Sequence, residues 1–420
     1  MDPARARPPR DRTPRCVAAA LAAFVSFGCA ASSGGATAGL AARPVGVAEV
    51  AALTAAPAPA AATDLQVHFI DVGTGDCIWI RTGDDGIPGN GRFEGLNIVV
   101  DGGDWGRFGR VDGYAFASEY LLQQDRLPAG SRIDWLVLTH AHSDHNGGLV
   151  GFLRDYEVAN VLDPGHDKEN DDGEADRLRP ASAYGRFFQA AATETFEGGL
   201  CNFVWGPPAG FALDWGDELD VEILHSSRAI IDGDLNNTSL VLRVGFSDPA
   251  RPVAVLLTGD AEHAVEDELV ASLGGGLRAT VLKAGHHGSN SSTTEDFLRH
   301  VRPAHVVICA GNQAFSGTML PREETFERIA AVSAALGLGT QVWRTDRGDK
   351  EPVVIPVGQE AGDDTVVLRT DGATLQIHYA DAPPEPVGDP TRCQATTMAG
   401  SQCKRKATAG GPFCWQHGGA

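Results

Sequence analysis

The sequence predicts an α/β protein in which two β-rich halves face each other, followed by a small cysteine-bearing module. Three observations carry this expectation. Short runs rich in Val, Ile and Leu recur through the middle of the chain and stop at polar turns, as buried strands do. Several of these turns lead directly into stretches of helical period, so a strand-turn-helix cycle repeats. The chemistry-bearing residues gather at strand ends, where layered α/β folds put their sites.

The 420 residues are 43% hydrophobic and 21% charged, the balance of a soluble globular protein with ample core. A formal net charge of −21 argues against a broad basic surface that grips nucleic acid nonspecifically. It leaves room for a phosphate-bearing substrate, because bound cations invert the local field.

Residues 1–30 read as a signal peptide: Arg7, Arg10, Arg12 and Arg15 precede an apolar stretch ending in small residues, with cleavage expected after Ala30. Cys29, after Ser26-Phe27-Gly28, is an alternative lipidation point that would attach the chain to a membrane, although Phe27 is atypical there. Either way the protein is expected to be exported from a bacterium, periplasmic, extracellular or lipoprotein-anchored. Residues 31–63 are an Ala/Pro/Gly-rich linker with too few bulky side chains for a core. The folded domain is expected over 64–380. It opens with strands at Leu65–Ile70, Ile78–Ile80 and Asn97–Val100, a β-meander punctuated by glycine-rich acidic turns. Helical patterns follow at Ser118–Gln124, Gly148–Asp155, Ala181–Thr193, Glu262–Leu273 and Phe326–Leu336, and Asp163–Pro180 reads as a long irregular loop. Further strands are expected at Cys201–Trp205, Glu218–Leu224, Ser239–Phe246, Val253–Leu257, Ala279–Lys283, His305–Cys309, Gln341–Asp346, Val353–Pro356 and Thr365–Tyr379. Residues 381–391 form a second, Pro-rich linker before the module at 392–420.

The densest chemistry is His140-Ala141-His142-Ser143-Asp144-His145, directly after the apolar run Ile133–Leu138. Imidazoles and a carboxylate packed where a strand stops suit a borderline cation such as Zn²⁺, with Mn²⁺ also compatible. This stretch resembles the HxHxDH signature of the metallo-β-lactamase-fold hydrolases. Asp71-Val72-Gly73-Thr74-Gly75-Asp76, Asn236-Asn237-Thr238-Ser239-Leu240, Leu257-Thr258-Gly259-Asp260 and His286-His287-Gly288-Ser289 resemble, in order, further motifs of its ComEC/Rec2-type branch. The resemblance covers about Leu65 to Tyr379 and implies a four-layer αββα sandwich with two divalent ions.

On this reading His140 and His142 share a first ion, Asp144 and His145 reach a second, and Asp260 bridges the two. His286 completes the first shell, with His287 its competitor. His166 and His225 are the available matches for a further histidine between the first cluster and Asp260. The second ion lacks an obvious last ligand, because Gly311–Pro321 holds no histidine. A metal-activated hydroxide would attack the substrate, with Asp144 and Asp260 as catalytic carboxylates. Asn237, Lys283, Ser289 and Asn290 are candidates to contact phosphate oxygens. The expected activity is phosphodiester hydrolysis, with nucleic acid a candidate substrate. The alternatives are hydrolysis of a phosphocholine ester or lactone, or a non-catalytic scaffold that binds a surface or polyanion.

Cys393, Cys403, Cys414 and His417 make a Cys₃His set suited to one structural, tetrahedral zinc. The module is too short to own a core, so the metal would supply its folding energy.

Overall fold

The structure, a computed structural model, describes residues 62–107, 111–122, 126–166, 175–311, 318–346 and 364–380. The expected signal, most of the first linker, Val353–Pro356, the second linker and the Cys₃His set lie outside these residues.

Strands β1 (Leu65–Phe69), β2 (Ile78–Arg81), β3 (Asn97–Val100), β4 (Trp135–Val137), β5 (Asn160–Asp163) and β6 (Asn202–Trp205) belong to one sheet. β7 (Leu219–His225), β8 (Val241–Phe246), β9 (Val255–Leu257), β10 (Val281–Lys283), β11 (His305–Ile308) and β12 (Gln341–Arg344) form a second, in that order. β13 (Val366–Thr370) and β14 (Leu375–Tyr379) return to the first sheet, which reads β6-β5-β4-β3-β2-β1-β13-β14. The meander expected at the start is present as antiparallel β1-β2-β3, after which β3, β4, β5 and β6 run parallel. In the second sheet β9, β10, β11 and β12 are parallel. β5 escaped the pattern reading for a physical reason. Its two apolar residues bury on opposite sides, Val161 outward and Leu162 inward, so no alternation marks it.

The helices are α1 (Gly113–Leu122), α2 (Ser143–Asn146), α3 (Leu149–Asp155), α4 (Ala183–Thr193), α5 (His263–Leu273), α6 (Glu295–Val301) and α7 (Glu323–Leu336). Ser182 and Thr294 cap α4 and α6, their hydroxyls accepting from Gly185 N and Phe297 N.

Alternation along the strands sorts the apolar side chains into three cores. Phe69, Ile78 and Ile80 face Ile223, Leu242, Leu257 and Val307 between the sheets. Trp79, Val99, Leu136 and Val161 pack outward against α1, α3 and α4 through Leu121, Phe152 and Phe187. Leu256, Leu282 and Val306 pack outward against α5, α6 and α7 through Val265, Phe297 and Ile329. Helices, sheet, sheet and helices therefore form four layers, αββα. Among the described residues no helix is long and apolar enough to cross a membrane.

Candidate metal centre

The centre is built from turns that leave the C-terminal ends of parallel strands in both sheets. β4 runs through Leu138 and Thr139 into His140, and the one-turn helix α2 then buries Asp144, His145 and Asn146. β9 ends at Thr258-Gly259-Asp260. β10 leads into Gly285–Gly288, where His286 and His287 both adopt left-handed backbone, with φ of 43° and 51°. Two adjacent non-glycine residues in that region are costly and must be held by their surroundings.

The turn before β2 brings Asp76 to the same place. Gly75 has φ +99°, and a β-carbon there would stand 1.9 Å from the Asp144 carbonyl oxygen. Gly75→Ala should therefore lose at least about 2 kcal/mol of stability, read from urea unfolding, because backbone must move as well as twist.

The ligand atoms of His140, His142 and Asp260 form one close group, and those of Asp144, His145 and His287 form another, each within 4.8 Å. His140 Nε2 lies 3.1 Å from His142 Nδ1. His145 Nε2 and His287 Nε2 are 3.3 Å apart, and His287 Nε2 is 3.5 Å from Asp144 Oδ2. Asp260 Oδ2 joins the groups: it stands 3.2 Å from both His145 Nε2 and His287 Nε2, and 3.8 Å from His140 Nε2.

The tautomers test whether a cation fits. His287 Nδ1 faces the Cys309 carbonyl at 2.9 Å, and a carbonyl only accepts, so Nδ1 carries the hydrogen. His145 Nδ1 likewise meets Asp101 Oδ2 at 2.8 Å. In the neutral rings both Nε2 atoms then turn lone pairs toward each other and toward Asp260 Oδ2. Such a cluster of acceptors requires positive charge at its centre, and its N and O donors suit divalent zinc or manganese. The ionisation behaviour agrees. Burial opposes charge on His145, yet Asp260 and Asp101 raise its pKa well above the ordinary value. Asp260, Asp144 and Asp76 overcome burial in the same way for His287. Against its own burial, Asp260 is held far below the usual carboxylate range by His145 and His287. His140 is instead depressed, by burial first and then by His145.

Behind these atoms, Thr139 fixes Asp101, donating from N to Oδ1 at 2.8 Å and from Oγ1 to Oδ2 at 2.7 Å. Asp76 and Asp101 were not among the sequence-derived site residues. Their signal was the acidic, glycine-rich turn at a strand end, in Gly75-Asp76 and Asp101-Gly102-Gly103 alike.

Several expected residues are placed differently. His286 does not converge with the ligand atoms: its Nδ1 lies 2.7 Å from Glu262 Oε1 and its side chain is 27% exposed. His287 takes the inner position, beside Asp144 and His145. Lys283 cannot touch substrate, being fully buried, with Nζ 2.6 Å from Asp76 Oδ2 and 3.5 Å from Asp260 Oδ1, and donating to the Gly259 carbonyl at 2.7 Å. Asn237 is also buried and committed to backbone, accepting from Glu262 N and donating to the Ile231 carbonyl. Ser289 is buried against the Ser291 hydroxyl, and of the four only Asn290 is exposed. Neither His166 nor His225 belongs to the ligand groups found among the described residues, and His225 Nδ1 donates to the Ser239 carbonyl.

Near the cluster in sequence, β5 ends in another buried carboxyl, Asp163. Burial pushes Asp163 up to about 7 although Gly165 N and the Tyr184 hydroxyl donate to it. A carboxyl raised on folding stabilises the fold fully below its unfolded pKa of 3.8 and loses that contribution as pH climbs through about 7. Stability should fall by up to about 1.4 kcal/mol per pH unit across that window. Asp163→Asn should flatten the profile, read by urea unfolding of both proteins from pH 4 to 8.

With this geometry established, comparison with known proteins identifies the family. The family model described as "Metallo-beta-lactamase superfamily" matches residues 92–311, more than half of the chain. The chain belongs to the metallo-beta-lactamase superfamily. Among curated proteins it is 27% identical over 268 residues to ComE operon protein 3 of Bacillus subtilis, covering 60% of this chain and 29% of that protein. It is 34% identical over 182 residues to competence protein ComA of Neisseria gonorrhoeae, covering 43% and 20%. Recombination protein 2 of Haemophilus influenzae matches at 28% over 207 residues, 49% and 21%. These relatives are of the ComEC/Rec2 kind indicated by the motifs, and the chain spans less than a third of the length of each. Among solved structures, a diphosphatase of the PhnP family is 14% identical with a TM-score of 0.33, covering 66% of this chain and 94% of that one. A metallo-beta-lactamase from Hirschia baltica is 14% identical with a TM-score of 0.24, covering 48% and 68%.

Proposed function

We propose that this superfamily member is an exported, metal-dependent phosphodiesterase whose centre holds two divalent ions, zinc or manganese. The observation that carries this reading is the position of Asp260 Oδ2, 3.2 Å from the Nε2 atoms of both His145 and His287 and within the ligand group of His140 and His142. One carboxylate shared between two groups of donors suits a pair of ions. His140, His142 and Asp260 would hold the first, and Asp144, His145, His287 and Asp260 the second. Bound there, the ions supply Lewis acidity and a nucleophile at neutral pH.

The chain's own residues do the remainder. Asp101 and the Cys309 carbonyl hold the His145 and His287 rings in one tautomer, so their Nε2 atoms need no reorientation. The Asp144 side chain is 11% exposed, against 2% for Asp260, and is the carboxylate able to accept a proton from water entering the site. The Cys₃His set of Cys393, Cys403, Cys414 and His417 would hold a further, structural zinc.

Metal-loaded protein should hydrolyse bis-p-nitrophenyl phosphate and single-stranded DNA and leave a lactone intact. Absence of any turnover with two ions bound in the centre would sink the phosphodiesterase reading, and turnover of the lactone alone would redirect it to carboxylic esters. Removal of residues 381–420 should release one zinc per chain without changing turnover of the small diester.

A further inference from the structure

We propose that Arg228 is a specificity residue beside the metal centre, selecting diesters that carry a second anionic group next to the scissile phosphate. The proposal rests on the phosphodiesterase reading above and narrows its substrate class. Strands β4, β5 and β6 are parallel neighbours, so the turns after Asp163 and Trp205 share a rim with the turn that carries His140. In the second sheet β7 runs in the same direction as β9, because both are antiparallel to β8, so its end at His225 lies on the rim that bears Asp260. The loop after β7 bridges the two. Arg228, near its start, reaches the turns of the first sheet. At the far end of the loop, Asn236 Nδ2 lies 3.3 Å from His286 Nδ1 and 3.4 Å from Glu262 Oε1.

What sets Arg228 apart is how its side chain is held. The stem runs across the ends of β5 and β6 through space that two glycines leave open. A β-carbon on Gly206 would stand 2.8 Å from Arg228 Cδ, and one on Gly165 would stand 3.1 Å from Arg228 Cγ. Gly206 N donates to the Asp163 carbonyl at 2.8 Å and keeps the two turns together. Beyond the glycines the guanidinium lies 4.0 Å from the centre of the Trp205 ring, a stack that suits its planar, weakly hydrated form. The layer beneath is already committed: Trp205 Nε1 donates to the Tyr184 hydroxyl at 3.4 Å, and that hydroxyl donates to Asp163 Oδ2 at 3.0 Å. The loop is pinned as well, by Ser227 Oγ donating to the Ala229 carbonyl at 2.8 Å and Asn237 Nδ2 to the Ile231 carbonyl at 3.4 Å. Arg228 itself is exposed, and among the described residues its guanidinium makes no hydrogen bond or ion pair.

A cation fixed in place and open to solvent on the rim of a metal centre is arranged to meet an anion that the metals do not hold. Holding the side chain before a ligand arrives removes much of the entropy cost of binding, and the planar fork takes a phosphate or carboxylate in bidentate geometry. Position selects which anion. β5 and β6 lie one and two strand spacings from β4, about 5 and 10 Å. That offset is large for oxygens of the phosphate at the metals and suits the next charged group of the same molecule. One guanidinium calls for one such group, so no chain of phosphates is required.

The test uses the zinc-loaded full chain and three p-nitrophenyl phosphodiesters whose second ester group is propyl, 3-carboxypropyl or 3-phosphopropyl. Wild type should show kcat/KM at least about tenfold higher for one or both anionic esters than for the propyl ester, and which of them gains distinguishes a phosphate from a carboxylate. R228Q should lose at least about tenfold on the preferred anionic ester beyond any loss on the propyl ester. R228K keeps the charge without the planar stack and should retain part of the preference. An unchanged preference in R228Q would overturn the proposal. So would equal losses on all three esters, which would make Arg228 a strap between the sheets. Calorimetry keeps the test separate from hydrolysis: 1,3-propanediol bisphosphate should bind more tightly than propyl phosphate, and R228Q should lose that difference. A wild-type protein that turns over no ester yet keeps this binding preference would sink the phosphodiesterase reading and leave Arg228 as the anion contact. A wild-type protein without the preference in either assay would overturn the proposal.

Discussion

His287→Ala is expected to remove one of the two proposed ions from the centre and to cut hydrolysis of bis-p-nitrophenyl phosphate by roughly 10³-fold, about 4 kcal/mol of transition-state stabilisation. His286→Ala should leave the metal content unchanged and remain within about tenfold of wild type. The contrast follows from two adjacent left-handed residues whose side chains diverge. His287 is anchored at Nδ1 by the Cys309 carbonyl and aims Nε2 at Asp144, His145 and Asp260. His286 turns to Glu262, which also accepts a 2.6 Å hydrogen bond from the Ser291 hydroxyl. Metal analysis after dialysis, alongside initial rates, reads both variants. Loss of an ion from the His286 variant with retention in the His287 variant would reverse the assignment.

The second large effect is expected from Lys283→Met, and it falls on stability. Lys283 is fully buried, and its ammonium contacts two carboxylates, Asp76 at 2.6 Å and Asp260 at 3.5 Å. Burial works against its charge, but Asp76 and Asp260 raise its pKa above the usual lysine value. Methionine fills similar space without charge and leaves those carboxylates in the interior. Breaking a buried pair from one side costs about 3–5 kcal/mol, and metal-free protein in EDTA should lose that much in urea unfolding. Saturating zinc should recover part of the loss, because a bound cation neutralises the same carboxylates. A metal-free variant within about 1 kcal/mol of wild type would show that Lys283 does not balance the acids behind the centre.

Much of the architecture was legible because its signals are local. Buried strands such as Val255–Leu257 and His305–Ile308 are short apolar runs, and α5 and α7 follow helical period. The turn chemistry was local as well: three histidines and an aspartate within six residues declare a metal loop wherever the strand carries them. β5 was missed because each of its faces buries a single apolar residue. Helix α6, seven residues long, was missed because it is too short to show a period. Lys283 and Asn237 were misjudged as substrate contacts because their positions after or near strand ends suggested access, whereas their side chains turn inward to satisfy Asp76 and the backbone.

The sequence by itself pointed to the superfamily, the αββα class, and a candidate metal centre around His140, His142, Asp144, His145 and Asp260, since motif spacing and strand pattern encode these within short stretches. Two things required the assembled fold: the choice of His287 over its neighbour, and the service of Asp76 and Asp101 behind the ligands. Each depends on contacts between segments far apart in the chain, such as His287 with the Cys309 carbonyl, Asp76 with Lys283 and Asp101 with His145. Side-chain direction at such places is set by packing against distant partners, and spacing along the chain carries no record of it.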